Sequence, residues 1–482
     1  MKIQSEKTFN LVLYSILSIA TLTLLFYSIF RRFDIDEFEA IHTAWKMLNG
    51  ERIYIDFFQH HHPLLYYMLI PIIYVFGETL TTLIAARILI FIFMFLIGFV
   101  TYYLCKEVYD KKTALINSVL LYVTPIFFIY ATEIRPDVPQ VLFGTASVLF
   151  LVLFFKRSKY IFLTLSAFSL SFSFLSLQKA IFLIGFTLLI FLHAIFYKKI
   201  KFKDGFLYGL IFSLPILTYF SYHIINGSFQ TYFFFNYIFN SAYGRILSIS
   251  QLSVTFRYAY ETSTIMWLFY TIGLLFYSKT YNQKILSFLS LGLIASLFFF
   301  PFPFQQYLLQ SIPFVICISS HAIKTIFERR NKEIILLLIL ISTVQLSGHC
   351  IRRIFRTPNT KQWKRMQHVM GKTTNNDYVF WSEKLESNSD GTYFMWNLFR
   401  KDHDYFWLYS VTRFASTYEK ITGKNYGYDV YKAIEKYKPK IITKSSLITC
   451  TKSNIHDILK NPIIYKNYKQ DTKTEDLLFR VN

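Results

Sequence analysis

The sequence predicts a polytopic α-helical membrane protein of about 11 transmembrane helices, with external interfacial helices and a small C-terminal soluble α/β domain. Three observations carry this. Apolar runs of about 20 residues, the length needed to cross a hydrocarbon core, recur along most of the chain. Charged residues make up only 17% of the 482 positions, where a soluble domain carries about 25%. Beyond Cys350 the apolar runs stop, and short strand-like and helix-like pieces alternate in a segment where basic residues outnumber acidic ones.

Taken in order, Phe9–Phe30 is the first span. It exceeds the apolar core of a signal peptide and has no small-residue cleavage site, so it reads as retained. It delivers Arg31–Pro63 to the far side of the membrane. There Phe38, Ile41, Trp45 and Leu48 recur at helical spacing, an amphipathic helix expected to lie in the interface. Pro63–Phe76 is too short to span and holds Pro71, which makes it a second interfacial or re-entrant helix.

Spans follow at Thr82–Leu104, Ala114–Ala131, Val138–Phe155, Ile161–Leu177, Ala180–Tyr197, Gly205–Ile224, Thr262–Tyr277, Leu286–Phe300, Leu308–Ala322 and Ile334–Gly348. Alternate loops carry Lys106, Lys111 and Lys112, then Lys156 and Arg157, Lys198–Lys203, Lys279 and Lys284, and Lys324 with Arg329 and Arg330. The positive-inside rule puts these loops and the amino terminus in the cytoplasm, and the active face and tail outside a cytoplasmic (inner) membrane. The net charge of +22 is then met by anionic lipid rather than by nucleic acid. Residues 1–350 form the membrane domain. Residues 351–482 form the external one, with strands at Tyr378–Trp381, Lys440–Ile442 and Leu477–Val481 and helices at Lys361–Met370 and Asp429–Tyr437.

Chemistry on such a chain needs solvated polar groups, and two stretches supply them. Arg32–Pro63 gathers Asp34, Asp36, Glu37, Glu39, Glu51, Asp56 and the triplet His60–His61–His62; Glu133-Ile134-Arg135-Pro136-Asp137 interrupts a later apolar run. We read them as halves of one site on one side of the membrane, because ionisable groups at this depth are costly and tend to face a cavity. Each residue also has a plainer reading. Asp36-x-x-Glu39 resembles a capping box with Asp36 as the N-cap, Glu37 a solvated loop acid, and Arg135 a partner for a neighbouring acid. Consecutive histidines point in different directions, so at most two of the triplet reach one ion, and contact with phosphate is favoured over metal. Lys179 and Arg245 are outer-face cations suited to an anionic headgroup, or to anchoring on lipid phosphate. Cys105, Cys317, Cys350 and Cys450 are too scattered for a zinc site or a disulfide framework. No phosphate-binding glycine loop or nucleophile elbow is present, which argues against ATP-driven work.

At these residues the chain resembles a family. Asp36-Glu37 before a helix ending Met47-Leu48, then His62-Pro63-Leu64-Leu65-Tyr66-Tyr67 and a helix ending at Gly77, is similar to the first external loop of GT-C class glycosyltransferases. These polyprenyl-phosphate-sugar-dependent enzymes include protein O-mannosyltransferases and the lipid A aminoarabinose transferase. Thr132–Asp137 resembles their second external motif, and Leu177-Gln178-Lys179-Ala180 their Thr-Lys-Gly stretch, with Gln and Ala replacing the flanking residues. The aromatic loop Phe229–Arg245 has a counterpart too, and the resemblance covers roughly residues 1–350. The aminoarabinose enzyme's Lys-Pro is His62-Pro63 here.

The resemblance implies an inverting hexosyl/pentosyl-type transferase. It would move a sugar from polyprenyl phosphate to a lipid, glycan or protein acceptor in lipopolysaccharide or protein glycosylation. Asp36, Glu37 and Asp137 are the catalytic candidates; His61, His62, Arg135, Lys179, Arg245 and Tyr66 are the donor-phosphate and substrate candidates. No cofactor or metal is required, and the partners are the lipid-linked sugar, its acceptor and membrane lipid. The rival is a transporter or flippase of the same lipid-linked sugars, which calls for broken helices and midplane ionisable residues.

Overall fold

The computed structural model describes residues 6–242, 248–275, 280–328, 332–356, 358–381, 395–407, 411–474 and 476–481. Within the described residues, the apolar runs expected to span are helical. The first ten helices are α1 (Glu6–Phe30), α2 (Ile35–Leu48), α3 (Leu64–Phe76), α4 (Leu80–Val108), α5 (Lys111–Val123), α6 (Pro125–Ala131), α7 (Asp137–Arg157), α8 (Tyr160–Ser176), α9 (Ile181–Phe196) and α10 (Phe202–Ile225). Later apolar helices are Ile249–Leu275, Tyr281–Ala295, Ile312–Glu328 and Lys332–Arg356.

Among the described residues, 6 helices are long and apolar enough to cross a membrane, or 7 if α5 and α6 form one span bent by 65°. The bend falls at Thr124–Pro125, where proline lacks the N–H that would continue the ladder. The expected eleven is therefore not reached on these criteria. α8 and Ile312–Thr325 are apolar but short, and Ile249–Leu275 is kinked at Ser263 and carries the exposed pair Arg257–Glu261. α3, also short and apolar, holds Pro71 as anticipated.

α4 packs against α1, α5 and α7, and α7 lies along α8. Small hydroxyl residues let these helices approach: Ser166 Oγ donates to the Ser147 carbonyl at 2.8 Å, and Ser173 Oγ to the Gln140 carbonyl at 2.8 Å. The two ends of the bundle differ in chemistry. At one end Glu107 pairs with Lys156 (2.7 Å) and Arg157 (2.9 Å), and Asp110, the N-cap of α5, pairs with Lys324. At the other end, where α7 begins, the cavity described below opens.

The tail builds a five-stranded sheet in the order β2-β1-β3-β5-β4. The strands are β1 (Tyr378–Phe380), β2 (Lys401–Asp402), β3 (Ile441–Thr443), β4 (Tyr468–Gln470) and β5 (Leu477–Arg480). β1 is parallel to both β2 and β3, while β5 is antiparallel to β3 and β4. Helices Asn359–Met370 and Val430–Tyr437 fall where the sequence pattern puts them. All four cysteines are free thiols.

The tail sits directly on α2, which changes the expected character of that helix. Phe38, Ile41 and Trp45 are buried as the spacing predicts, but so are Glu37, Glu39, His42, Thr43 and Lys46 on the polar face. Asp402 supplies the reason: it accepts from Lys46 Nζ (2.5 Å), lies 3.2 Å from His42 Nε2, and accepts from Asn397 Nδ2 (2.5 Å). Arg400 adds an ion pair to Glu78 at 3.0 Å, whose other oxygen accepts from Trp45 Nε1. α2 is thus an enclosed helix rather than one lying half in water.

Candidate active site

The N-terminus of α2 sets the geometry. Its N-cap is Asp34, not Asp36: the Asp34 carboxylate accepts from the Asp36 amide (3.2 Å), and Glu37 accepts from the Asp34 amide (2.8 Å). The capping box is therefore Asp34–Glu37. Asp36, in the first turn, has no capping duty, which corrects the plain reading of that residue.

Glu37 lies beneath this turn, fully buried. Its oxygens take Arg31 Nη1 (3.1 Å) and Nη2 (3.2 Å), Arg87 Nε (2.8 Å) and Nη2 (2.7 Å), and the Ile134 amide (3.2 Å). Burial alone would raise its carboxyl, but Arg31 and Arg87 prevail and hold it at about 2. Arg87 also donates to the Ser28, Arg31 and Arg32 carbonyls, and Arg31 to the Thr132 carbonyl. One carboxylate thus joins α1, α2, α4 and the turn after α6. That is the work of a keystone, and it replaces the solvated-loop reading of Glu37.

Above this layer opens a cavity of about 910 Å³. Asp36, His61, Tyr66, Arg135, Asp137 and Lys179 line it, so six of the nine sequence candidates meet in one place. Arg135 ion-pairs with Asp36 and reaches Asp137 Oδ2 through Nε at 3.5 Å; Lys179 Nζ holds Asp137 Oδ1 at 3.0 Å. Charges thus alternate along the wall: Asp36, Arg135, Asp137, Lys179. Lys179 Nζ also stands 3.4 Å from the Tyr307 ring centroid, a cation–π contact. Glu133, 3.6 Å from Arg135, is raised to about 8 by burial and by Asp34, with Arg31 and Arg135 opposing.

Of the remaining three candidates, two lie elsewhere. Glu37 is below the cavity floor. His62 is fully buried behind the wall, with Nδ1 at 2.7 Å from the Phe174 carbonyl and Nε2 at 3.1 and 3.2 Å from the Tyr232 and Tyr237 hydroxyls. Arg245 lies outside the described residues. Sequence reasoning missed Asn240 and Tyr307, and Arg413 and Phe414 from the tail, all of which line the cavity. Glu39 was legible as the residue one turn beyond Asp36 on α2. Arg413 had no signal in a segment read as a separate domain.

Comparison with known proteins agrees with the resemblance read from the sequence. Residues 60–223 match the family model for dolichyl-phosphate-mannose-protein mannosyltransferase. ArnT of Cupriavidus metallidurans, solved bound to undecaprenyl phosphate, superposes with a TM-score of 0.62 at 10% identity, covering 92% of this chain and 94% of that one. The archaeal oligosaccharyltransferase AglB of Archaeoglobus fulgidus, solved with an inhibitory peptide and a dolichol-phosphate, gives 0.55 at 11% identity, covering 89% and 69%. No curated protein sequence shows significant similarity to the chain.

Proposed function

We propose that this protein is a membrane glycosyltransferase that moves a sugar from a polyprenyl-phosphate donor to an acceptor at the outer face of the cytoplasmic membrane. The observation that carries the reading is the convergence of Asp36, Asp137, Arg135 and Lys179 on one cavity, at the bundle end opposite the basic loops. The fold shared with two proteins solved with polyprenyl phosphates supports the donor class.

In this scheme Asp36 is the general base that takes the proton of the acceptor hydroxyl as it attacks the anomeric carbon. The polyprenyl phosphate departs from the opposite face, so the configuration inverts. Arg135 and Lys179 offset the charge that develops on the leaving phosphate. Asp137 holds Lys179 at 3.0 Å and keeps it aimed into the cavity. His61 and Tyr66 form the facing wall. The acceptor is a lipid, glycan or protein hydroxyl, and the sugar a hexose or pentose. The chemistry draws on these side chains without a cofactor.

The amino terminus is placed inside and the tail outside, since Lys156, Arg157 and Lys201 then meet the cytoplasm. A cysteine at position 201 labelled by an impermeant reagent in intact cells contradicts that orientation.

A flippase of the same lipid is the second reading, and the bent α5–α6 pair is the feature that favours it. Purified protein with a labelled polyprenyl-phosphate sugar and envelope extract separates the two. Label in the acceptor fraction supports transfer; lipid movement across vesicles without any transfer supports the flippase.

A further inference from the structure

One cluster on the cavity wall includes two residues, Glu39 and His60, that have no part in the scheme above. Ligand atoms of Glu39, His60 and His61 all lie within 4.8 Å of one another, and all three residues line the cavity. Their backbone is held firmly. The His60 and His61 amides donate to Gln59 Oε1 (2.7 and 3.3 Å). The His60 carbonyl accepts from Gln178 Nε2 (2.8 Å) and Asn240 Nδ2 (2.7 Å), and the His61 carbonyl from the Tyr54 hydroxyl (2.6 Å). The other end of the buried Gln59 amide donates to Glu39 Oε1 (3.2 Å) and Thr43 Oγ1 (3.1 Å). A single side chain therefore orients both the carboxylate and the two histidines.

The rings are packed against their neighbours. His60 stacks on Phe58 at 5.5 Å, and its centroid is 4.1 Å from that of His61. Yet Nδ1 of each ring is buried without a hydrogen-bond partner. A buried polar atom without a partner is destabilising, and here two occur on adjacent residues of a braced backbone, close to the Glu39 carboxylate.

We propose that Glu39, His60 and His61 bind a divalent transition-metal ion, with Zn²⁺ the best match, leaving an open coordination position toward the cavity. Two imidazoles and one carboxylate form a three-ligand set of the kind that leaves Zn²⁺ one exchangeable position. Mg²⁺ and Ca²⁺ prefer oxygen donors and gain little from imidazole. Bonds of about 2.0–2.1 Å require the ligand atoms to draw closer than the 4.8 Å within which they stand here, a small adjustment of Glu39 and the two rings on a backbone that stays in place. Gln59 is the outer-shell group that orients Glu39. The positive charges of Arg135 and Lys179 are matched by Asp36 and Asp137, so the ion does not enter a cationic field. Ion binding needs no sugar, so this site stands or falls independently of glycosyl transfer.

The test is titration of purified, chelator-stripped protein with Co²⁺, read by its visible absorption, followed by displacement with Zn²⁺. We expect one ion of micromolar affinity or tighter. Glu39→Gln and the double change His60→Asn/His61→Asn should each lower the stoichiometry by one. Gln59→Ala should weaken binding by about 10–100-fold. Melting and size-exclusion profiles establish that each variant is folded. Should one fail to fold, zinc-edge X-ray absorption of the wild-type protein decides, with two imidazoles and one carboxylate expected. Absence of a bound ion in the wild type, unchanged stoichiometry in folded variants, or a different ligand set overturns the proposal.

Discussion

Asp36 and Arg135 form an ion pair across 99 positions of sequence, and the same guanidinium reaches Asp137. A planar fork can hold two carboxylates in fixed directions; an ammonium on a flexible stem holds one at a time. Arg135→Lys should therefore keep the charge and the fold but lose the alignment of the two acids. A hydrogen bond to a charged group contributes about 1.5–3 kcal/mol, so transfer should fall by about 10–100-fold while the melting temperature changes little. Wild-type kinetics in Arg135→Lys would show that the bridge is incidental.

Glu37 sits one residue from Asp36 but should respond in the opposite way. Glu37→Gln leaves Arg31 and Arg87 buried without their counter-ion. Removing one partner of a buried pair costs about 3–5 kcal/mol, so the variant should melt far below the wild type or fail to accumulate. A Glu37→Gln protein that melts normally and has lost transfer would return Glu37 to the catalytic candidates.

Glu133 sets a pH dependence. Its carboxyl rises from 4.5 to about 8 through burial and the neighbouring Asp34. The folded state then holds the proton more tightly than the unfolded chain does. Its contribution to stability is complete below the unfolded value of 4.5 and is lost as pH climbs through about 8. Glu133→Gln removes that loss. Its melting temperature should match the wild type at acidic pH and exceed it by about 2 °C or more in alkaline buffer. Parallel melting curves across the whole pH range contradict the assignment.

The contact between the tail and α2 is open to a double-mutant test. Asp402 is held below the usual carboxylate range: burial opposes this, and Lys46 and His42 outweigh it. Asp402→Ala strands Lys46 and should destabilise by about 3–5 kcal/mol, while Lys46→Met with Asp402→Leu should recover most of the loss. Additive losses in a thermal-melt cycle would mean that the two residues are not coupled.

The sequence was informative wherever a local rule sufficed. Apolar run length located the helices, and strand-like stretches at Tyr378, Ile441 and Leu477 became β1, β3 and β5. It was ambiguous where two registers obeyed the same rule. Asp34–Glu37 and Asp36–Glu39 share the three-residue capping spacing, and only the arginines that claim Glu37 decide between them. It was silent where the partner lies far along the chain. His42 and Lys46 look like a wet helical face until Asp402 arrives, and nothing local links Asp36 to Arg135. The histidine triplet shows both sides: consecutive side chains diverge, so His62 turns away while ligand atoms of His60 and His61 lie within 4.8 Å of one another, but nothing local brings Glu39 beside them.

The central claim is that Asp36 is the general base, and it is tested most directly by sugar transfer from labelled polyprenyl phosphate with purified Asp36→Asn. Because Asp34 is the N-cap, the substitution touches no capping bond and the fold should survive. As a control, Asp34→Ala should cost about 0.5–2 kcal/mol of stability while retaining transfer. A positioned base contributes about 10²–10⁴-fold, and a loss of that size in folded Asp36→Asn is the predicted result. Transfer by Asp36→Asn at the wild-type rate contradicts the account.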